Sequence, residues 1–186
     1  DPTPVPTDDP TPGPTETPEP PPVSFEEFQG IETNGAYDWE YFSIDDDHFL
    51  VVANYWNGST RNINSKIFKW NGHTFTLYQN IGTNGACAWE YFSIEGNHYL
   101  AVANHHNNSS YNINSRIYKW DNESDQFVLH QNIGTNGAFD WEYFSIEDDH
   151  FAVVANYNNG SSHNINSVLY KWNGVDFTSH QNIETN

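Results

Sequence analysis

The chain has 186 residues, and its 25 Asp and Glu outnumber its 6 Lys and Arg, so the formal net charge is −19. This balance argues against nucleic acid and anionic membrane surfaces as partners, because both are bound mainly through Lys and Arg. No apolar run approaches the roughly 18 residues that cross a bilayer, so no membrane insertion is expected. The chain shows neither an initiating Met nor a signal peptide, and we interpret it as a mature or excised segment.

The N-terminal segment, residues 1–23, reads DPTPVPTDDPTPGPTETPEPPPV and holds all 10 prolines of the chain. It contains no Lys or Arg. Such a segment cannot bury a hydrophobic core, so we predict an extended, semi-rigid, acidic Pro/Thr-rich linker. Its threonines are candidate acceptors for O-linked sugars.

From residue 24 onward the chain is an internal repeat. Trp39, Trp89 and Trp141 lie 50 and 52 residues apart, and the two extra residues fall in the polar turn DNESDQ. Periods of about 40 to 50 residues are typical of propellers and other repeat folds. We divide residues 24–186 into β-repeat units at about 24–75, 76–127 and 128–177, with the start of a fourth unit at 178–186.

Four strand-like segments recur in each unit, represented by AYDWEYFSI, HFLVVANYW, SKIFKW and TFTLYQNI. They are rich in aromatic and β-branched residues and are separated by hairpin-sized turns. We therefore predict an all-β fold of tandem four-stranded antiparallel sheets. Because these sheets carry aromatic residues on both faces, they are expected to stack as blades of β-propeller type. With FEEFQGI included, the segments make three repeats plus one extra strand, which is an incomplete ring or part of a larger assembly.

The motif DWE has the composition of a glycosidase carboxylate pair, since Asp38 and Glu40 flank a tryptophan. The middle copy has Ala88 in place of the aspartate, so a two-carboxylate mechanism does not survive in every unit. We predict no catalytic residue. Instead we assign the tryptophan and glutamate of each copy to the seams between blades: Trp39, Glu40, Trp89, Glu90, Trp141 and Glu142. Cys87 stands where the sister repeats have an aromatic residue, so it is expected to be a packed hydrophobe.

The nine histidines show no HxH or HxxxH spacing, so no transition-metal centre and no other cofactor is predicted. Calcium prefers oxygen ligands, and the turns DDD and EDD supply candidates: Asp45, Asp47, Asp148 and Asp149. Their spacing does not match an EF-hand loop, and a polar hairpin tip explains the same residues.

The loop after each VANY-like strand carries a glycosylation sequon, and the DNESDQ turn adds another. The candidate acceptors are Asn57, Asn107, Asn108, Asn122 and Asn159. The same loops hold large aromatic residues, and Trp and Tyr are enriched in protein-interface hot spots. We therefore take Trp56, Tyr111 and Tyr157 as candidate interaction residues.

The joined motifs VANY, NxNSxIYKWNG, QxIxTxGAxDWE and FSI resemble the EAR repeat, also called the epitempin or EPTP repeat. The resemblance covers residues 24–186. It implies a seven-bladed propeller in extracellular proteins, which acts in protein recognition and has no enzyme activity. Some propellers of this family are thought to hold calcium in the central channel. Three blades cannot close a ring, so the chain is a window on a longer protein, or several chains complete one ring, or the repeats stack openly in a fibre.

Three functions remain open at this stage. The first is a non-enzymatic, extracellular platform for protein recognition or adhesion, as the resemblance implies. The second is a structural subunit of a glycosylated extracellular filament or matrix. The third is a multivalent lectin that holds sugars at the blade seams. The expected partners are accordingly an extracellular protein, further copies of the chain, or glycans.

Overall fold

A computed structural model describes residues 24–185, and the predicted linker at 1–23 lies outside that range. Residues from Ile31 onward form one compact unit, separate from the unit that ends at Gly30. The compact unit holds the strands β1 (Ala36–Ile44), β2 (Asp47–Asn54), β3 (Asn62–Trp70), β4 (Phe75–Asn84), β5 (Ala86–Ile94), β6 (Asn97–Asn104), β7 (Asn112–Asp121), β8 (Gln126–Asn136), β9 (Ala138–Ile146), β10 (Asp149–Asn156), β11 (Ile165–Trp172) and β12 (Phe177–Thr185).

The strands form three four-stranded sheets, in the orders β1-β2-β3-β4, β5-β6-β7-β8 and β9-β10-β11-β12. Every pair within a sheet is antiparallel and joins neighbours in the chain. We number these sheets 1, 2 and 3. The predicted all-β class of tandem four-stranded antiparallel blades is confirmed. No helix occurs among residues 24–185, and hence none that could span a membrane.

The sheets stack face to face because each strand directs alternate side chains to opposite faces. In β5, Trp89 packs against sheet 1 and Phe92 packs against sheet 3. One buried core lies between sheets 1 and 2, and a second lies between sheets 2 and 3. The first strands of neighbouring sheets, β1, β5 and β9, lie side by side along the inner edge of the stack.

A buried polar network holds the second, third and fourth strands of each sheet together. In sheet 1, Asn54 donates from Nδ2 to Asn64 O at 2.9 Å and accepts from Asn34 N at 2.9 Å. Ser65 Oγ accepts from Asn54 N at 3.2 Å and lies 3.0 Å from Thr83 Oγ1. Sheets 2 and 3 repeat the central part of this arrangement around the equivalent asparagines. The recurring Asn and Ser therefore satisfy backbone groups that the fold buries.

Glutamine side chains clamp the outer strands of successive sheets. Gln79 donates from Nε2 to Phe127 O at 2.8 Å and accepts from Phe127 N at 3.0 Å. Gln131 makes the same two bonds to Phe177, at 2.8 and 3.0 Å. One side-chain amide thus reproduces the paired donor and acceptor of a neighbouring strand. Gln79 and Gln131 are therefore structural.

The segment FEEFQGI differs from the prediction, because residues 24–33 form no strand. Its counterparts in the later repeats are β4, β8 and β12, each of which pairs with the third strand of its own sheet. The described residues contain no third strand in front of β1, so FEEFQGI has no ladder to join. The counterpart at the other end, β12, does form, because it pairs with β11 as the fourth strand of sheet 3.

Candidate interaction surface

The seam glutamates bond to the backbone of the next sheet. Glu40 Oε1 accepts a hydrogen bond from Tyr91 N at 3.3 Å, and Glu90 Oε1 accepts one from Tyr143 N at 3.0 Å. Asp38 Oδ2 likewise accepts from Trp89 N at 3.0 Å. These N–H groups belong to β5 and β9, whose inner edges have no strand beside them. The carboxylates therefore cover strand edges that would otherwise be left open.

The seam tryptophans cross to the sheet before them. Trp89 Nε1 donates to Val52 O at 3.2 Å, and Trp141 Nε1 donates to Val102 O at 3.2 Å. Both indoles are buried, so neither offers a face to a bound sugar. Trp39 differs, because it lies on the outward face of sheet 1 and is exposed. The tryptophan of the motif therefore lies between two sheets in two of the three copies.

Stacked aromatic rings complete each seam. Tyr91 stacks on Phe42 with ring centroids 4.8 Å apart and planes inclined by 15°. Tyr143 stacks on Phe92 at 4.6 Å and 12°. Each tyrosine hydroxyl then donates to a serine carbonyl of the preceding sheet, at 3.1 and 3.3 Å. The two seams are therefore built from the same contacts in the same order.

An open groove runs along the inner strands and is lined by carboxylates of all three sheets: Asp38, Glu40, Glu90, Asp140 and Glu142. Burial raises the pKa of Glu90 to about 7, although the bond from Tyr143 N lowers it. Repulsion from the neighbouring carboxylates adds to the increase. Burial also raises the pKa of Glu40. The sequence predicted a seam role for the three glutamates but not the convergence of the five carboxylates on one groove.

Two of the groove carboxylates are engaged with the backbone of the neighbouring sheet. The nearest thiol is that of Cys87, which is buried, and burial raises its pKa to about 12. One oxygen each of Glu40 and Glu90 is already bonded to a backbone N–H. These two carboxylates accept hydrogen bonds from the neighbouring strand.

The calcium candidates do not gather into a cluster. Within residues 24–185 no group of three or more His, Cys, Asp or Glu side chains has a metal-binding arrangement. Asp47 Oδ2 lies 2.6 Å from Lys69 Nζ, and Asp149 Oδ2 lies 2.6 Å from Lys171 Nζ. Asp45 and Asp148 sit in the two-residue turns between the first and second strands of their sheets. Two of these residues thus pair with lysine and two lie in hairpin turns, and calcium binding stays a prediction.

A group of exposed aromatic residues lies where the loops after β2 and β10 meet the starts of β1 and β9. We call this surface the aromatic end and define it by four exposed residues, Tyr37, Trp56, Phe139 and Tyr157. Tyr37 contacts Tyr55, with ring centroids 4.5 Å apart, and Phe139 contacts Tyr157 at 4.9 Å. Of the predicted interaction residues, Trp56 and Tyr157 belong to this surface. Tyr111 is half-buried below it.

His105 lies beneath the aromatic end, and the sequence did not single it out. Its ring is 4.7 Å from that of Phe139 and 5.1 Å from that of Tyr111. The side chain is buried, and its Nδ1 has no hydrogen-bond partner among the described residues. Burial lowers the pKa of His105, so the neutral ring is favoured. The alignment of the repeats could have identified His105, because the other two copies have a tyrosine at this position, Tyr55 and Tyr157.

The loops that carry the aromatic end are closed by asparagine turns. Asn57 Oδ1 accepts from Ser59 N and Thr60 N, both at 3.0 Å. Asn107 and Asn159 make the equivalent pairs of bonds. Such bonds fix a loop without strand pairing. Trp56 and Tyr157 therefore stand on ordered loops, whereas Tyr37 and Phe139 lie on β1 and β9.

The candidate glycosylation sites differ in their surroundings. Asn57, Asn107 and Asn159 bond through their carbonyl oxygens within their own loops. Asn108 instead uses both side-chain groups across a seam, with Nδ2 2.6 Å from Thr60 Oγ1 and Oδ1 2.9 Å from Arg61 N. Asn122 is exposed in the turn between β7 and β8. Glycosylation of these residues stays a prediction.

Comparison with known proteins agrees with this geometry. The EPTP domain matches residues 24–71, 74–121 and 126–173. The second match begins just before β4 and ends with β7, so the second and third sequence repeats each take their first strand from one sheet and their next three from another. This offset ties consecutive sheets together through the chain itself.

Two curated relatives are the thrombospondin-type laminin G domain and EAR repeat-containing proteins of Mus musculus and Homo sapiens. Each is 46% identical to this chain over 160 residues. The matched region covers 82% of this chain and 24% of each relative, so the chain spans about a quarter of their length. Three matched repeats, three equivalent sheets and this level of identity show that the chain belongs to the EPTP, or EAR, repeat family.

Proposed function

We propose that the repeat region is a non-enzymatic, extracellular module for protein recognition and adhesion, and that its partner docks on the aromatic end. The observation that carries the proposal is the group of four exposed aromatic residues, two on ordered loops and two at the starts of the inner strands, contributed by sheets 1 and 3. Aromatic residues dominate interface hot spots because they bury large areas while ordering few bonds.

The charge of the chain suggests the character of the partner. The formal net charge is −19, and the acidic groove opens beside the aromatic end, since Tyr37 and Phe139 line both. A partner with an apolar centre and a basic rim fits this surface, because complementary charge speeds association and selects orientation. The partner we propose is therefore an extracellular protein with a cationic binding face.

Two further observations support the proposal. The seam carboxylates serve backbone N–H groups and the only thiol of the chain is buried, which favours recognition over catalysis. The extracellular setting is supported by the names of the two relatives, both of which include a thrombospondin-type laminin G domain.

The experiment is a binding screen of the purified chain against an array of purified extracellular domains. We expect at least one protein partner for the wild type. Trp56→Ala combined with Tyr157→Ala should then weaken binding at least tenfold, since hot-spot truncations cost about 2 kcal/mol or more each.

The matched control is Val175→Ala, which removes an exposed apolar side chain from the turn between β11 and β12. It should leave binding unchanged. Binding that survives the double substitution contradicts a docking role for the aromatic end. Binding to a glycan array but to no protein would instead support the lectin alternative.

A further inference from the structure

A pocket lies in the seam between sheets 2 and 3, beside the start of β6, whereas the aromatic end lies beyond the end of that strand. Sheet 2 supplies Asn97, Tyr99, Lys119 and His130, and sheet 3 supplies Trp172 and the turn that follows it. The lining is mostly polar, in contrast to the apolar core of the same seam. The pocket is therefore a feature separate from both the core and the aromatic end.

The ammonium group of Lys119 is unpaired in this pocket, unlike its equivalents in the other sheets. In sheets 1 and 3 the equivalent lysine forms an ion pair with an aspartate, at 2.6 Å in both cases. Sheet 2 has Asn97 at the position of that aspartate, and Lys119 forms no ion pair within the described part of the chain. Lys119 therefore keeps its hydrogen-bond donors for a ligand.

Tyr99 adds a hydroxyl group that the other copies lack, because they carry Phe49 and Phe151 at this position. The hydroxyl makes no hydrogen bond with another residue of the range 24–185. Burial raises the pKa of Tyr99, and the charges of Glu95 and Asp176 raise it further, so both carboxylates lie near the hydroxyl. The pocket thus places donors and acceptors side by side.

The walls of the pocket are held in position by contacts of their own. Asn97 Nδ2 donates to Ile94 O at 3.3 Å, which leaves Asn97 Oδ1 as an acceptor. His130 Nε2 lies 2.9 Å from Val175 O, a contact that ties the turn of sheet 3 to sheet 2. The ring of Trp172 meets that of Tyr99 edge-on, with centroids 5.6 Å apart. The polar groups are therefore arranged before any ligand arrives.

Charge and size narrow the chemistry of the ligand. Lys119 is positive whereas Glu95 and Asp176 are negative, so the pocket suits neither a strong anion nor a cation. A neutral ligand with several hydroxyl groups fits better, because each hydroxyl both donates and accepts hydrogen bonds. The cavity encloses about 170 Å³, less than the ~300–1,000 Å³ of pockets for drug-sized ligands, so it holds one small unit.

We propose that this pocket binds one neutral sugar residue. Lys119 and the Tyr99 hydroxyl donate hydrogen bonds to the sugar oxygens. Asn97 Oδ1 and the Glu95 carboxylate accept hydrogen bonds from the sugar hydroxyl groups. The half-buried indole of Trp172 covers the apolar C–H side of the sugar ring.

The proposal goes beyond the function proposed above, which places a protein partner at the aromatic end. The pocket shares none of the four residues that define that surface, and the length of β6 separates the two. Loss of sugar binding should therefore leave protein binding intact. Each proposal can fail without the other.

The experiment is saturation-transfer NMR of the full chain with free glucose, galactose, mannose, fucose and N-acetylglucosamine. We expect at least one of these sugars to bind saturably, with a Kd on the order of 1 to 10 mM. The same sugar should shift the indole N–H signal of Trp172 in a spectrum of the ¹⁵N-labelled protein.

Two variants restore residues that the other copies carry, so both are compatible with the fold of the repeat. Asn97→Asp should pair with Lys119 and weaken sugar binding at least tenfold, and Tyr99→Phe should weaken it about fivefold. The matched control is Asp47→Asn, which frees Lys69 in sheet 1 and should bind sugar like the wild type. Thermal unfolding of each variant checks that the sheets are retained.

Three results would overturn the proposal. The first is that none of the five sugars binds saturably at concentrations up to about 50 mM, several times the expected Kd. The second is that Asn97→Asp binds as tightly as the control. The third is that the bound sugar shifts signals of the aromatic end and leaves that of Trp172 unchanged.

Discussion

Glu90 and Tyr143 are joined across the seam between sheets 2 and 3, where Glu90 Oε1 accepts a hydrogen bond from Tyr143 N at 3.0 Å. The same bond joins Glu40 to Tyr91 one seam earlier, at 3.3 Å. A motif with the composition of a catalytic pair thus serves as an edge cover for the neighbouring strand. The predictions below test this account of the seams.

The first prediction concerns pH. The pKa of Glu90 is raised from 4.5 to about 7, first by burial and then by Glu142, Glu40 and Asp140. Between these two values the folded state binds more protons than the unfolded state, so stability falls as pH rises through that window. The contribution of Glu90 is complete below about pH 4.5 and is lost above about pH 7.

Glu90→Gln removes this titration while keeping an oxygen that can accept from Tyr143 N. We expect the variant to match the wild type near pH 4.5 and to be more stable at pH 8, by about 1 to 2 kcal/mol. Urea unfolding across the pH range measures the difference. A constant gap between the two proteins at all pH values would contradict the shift.

The second prediction compares two copies of one tryptophan. Trp141→Phe removes a buried indole and its bond to Val102 O, so the free energy of unfolding should fall by about 2 kcal/mol. Trp39→Phe alters the exposed copy and should cost less than about 0.5 kcal/mol in dilute solution. Chemical denaturation measures both losses. Equal losses of unfolding free energy in the two variants would contradict the assignment of only Trp141 to a buried seam.

The structure agrees with the sequence reading where the copies are alike. The sequence predicted the strands and their grouping into four-stranded sheets. It also predicted that Trp89 and Trp141 are buried, because the repeated aromatic segments have apolar side chains on both faces of each sheet. The exposure of Trp39 could not be read in the same way, because burial depends on the sheet that packs in front of it. The strand prediction for FEEFQGI is wrong for a related reason. A strand needs a neighbouring strand to pair with, as well as a suitable composition.

The aromatic end was only partly predictable. Trp56 and Tyr157 stand out as large residues in polar loops, so composition alone found them. Tyr37 and Phe139 occupy the same repeat position as Cys87, and of the three only Cys87, which was predicted to be packed, is buried. This difference in burial could not be predicted, because a linear sequence does not show which copy is central.

The third prediction concerns the glycine that opens each GAxDWE motif. Gly137 has φ +56°, and a Cβ there would lie 2.9 Å from Asn158 O. Gly137→Ala should therefore destabilise the protein by about 3 kcal/mol. The control is Gly96→Ala, which has φ +75° but nothing within 4 Å of the added Cβ, and should cost about 1 kcal/mol. Thermal unfolding measures both losses. If the control loses as much stability as Gly137→Ala, contact of the added Cβ with Asn158 O is not the cause.

The fourth prediction concerns the only thiol. Burial raises the pKa of Cys87 from 9.0 to about 12, and only the thiolate is nucleophilic. Alkylation by iodoacetamide at pH 8 should be about a thousandfold slower in the folded protein than in guanidinium chloride. Mass spectrometry follows the modification. Rapid alkylation of the native protein would show that the slot occupied by Cys87 is open.

The most direct test of the central claim is amide hydrogen exchange at Tyr143, followed by NMR in the wild type and in Glu90→Ala. The seam account predicts that the Tyr143 amide is protected in the wild type and exchanges at least tenfold faster in the variant, while the amide of Tyr91, which Glu40 serves, keeps its protection. An amide of Tyr143 that exchanges at the same rate in both proteins would contradict the assignment of the glutamates to the seams.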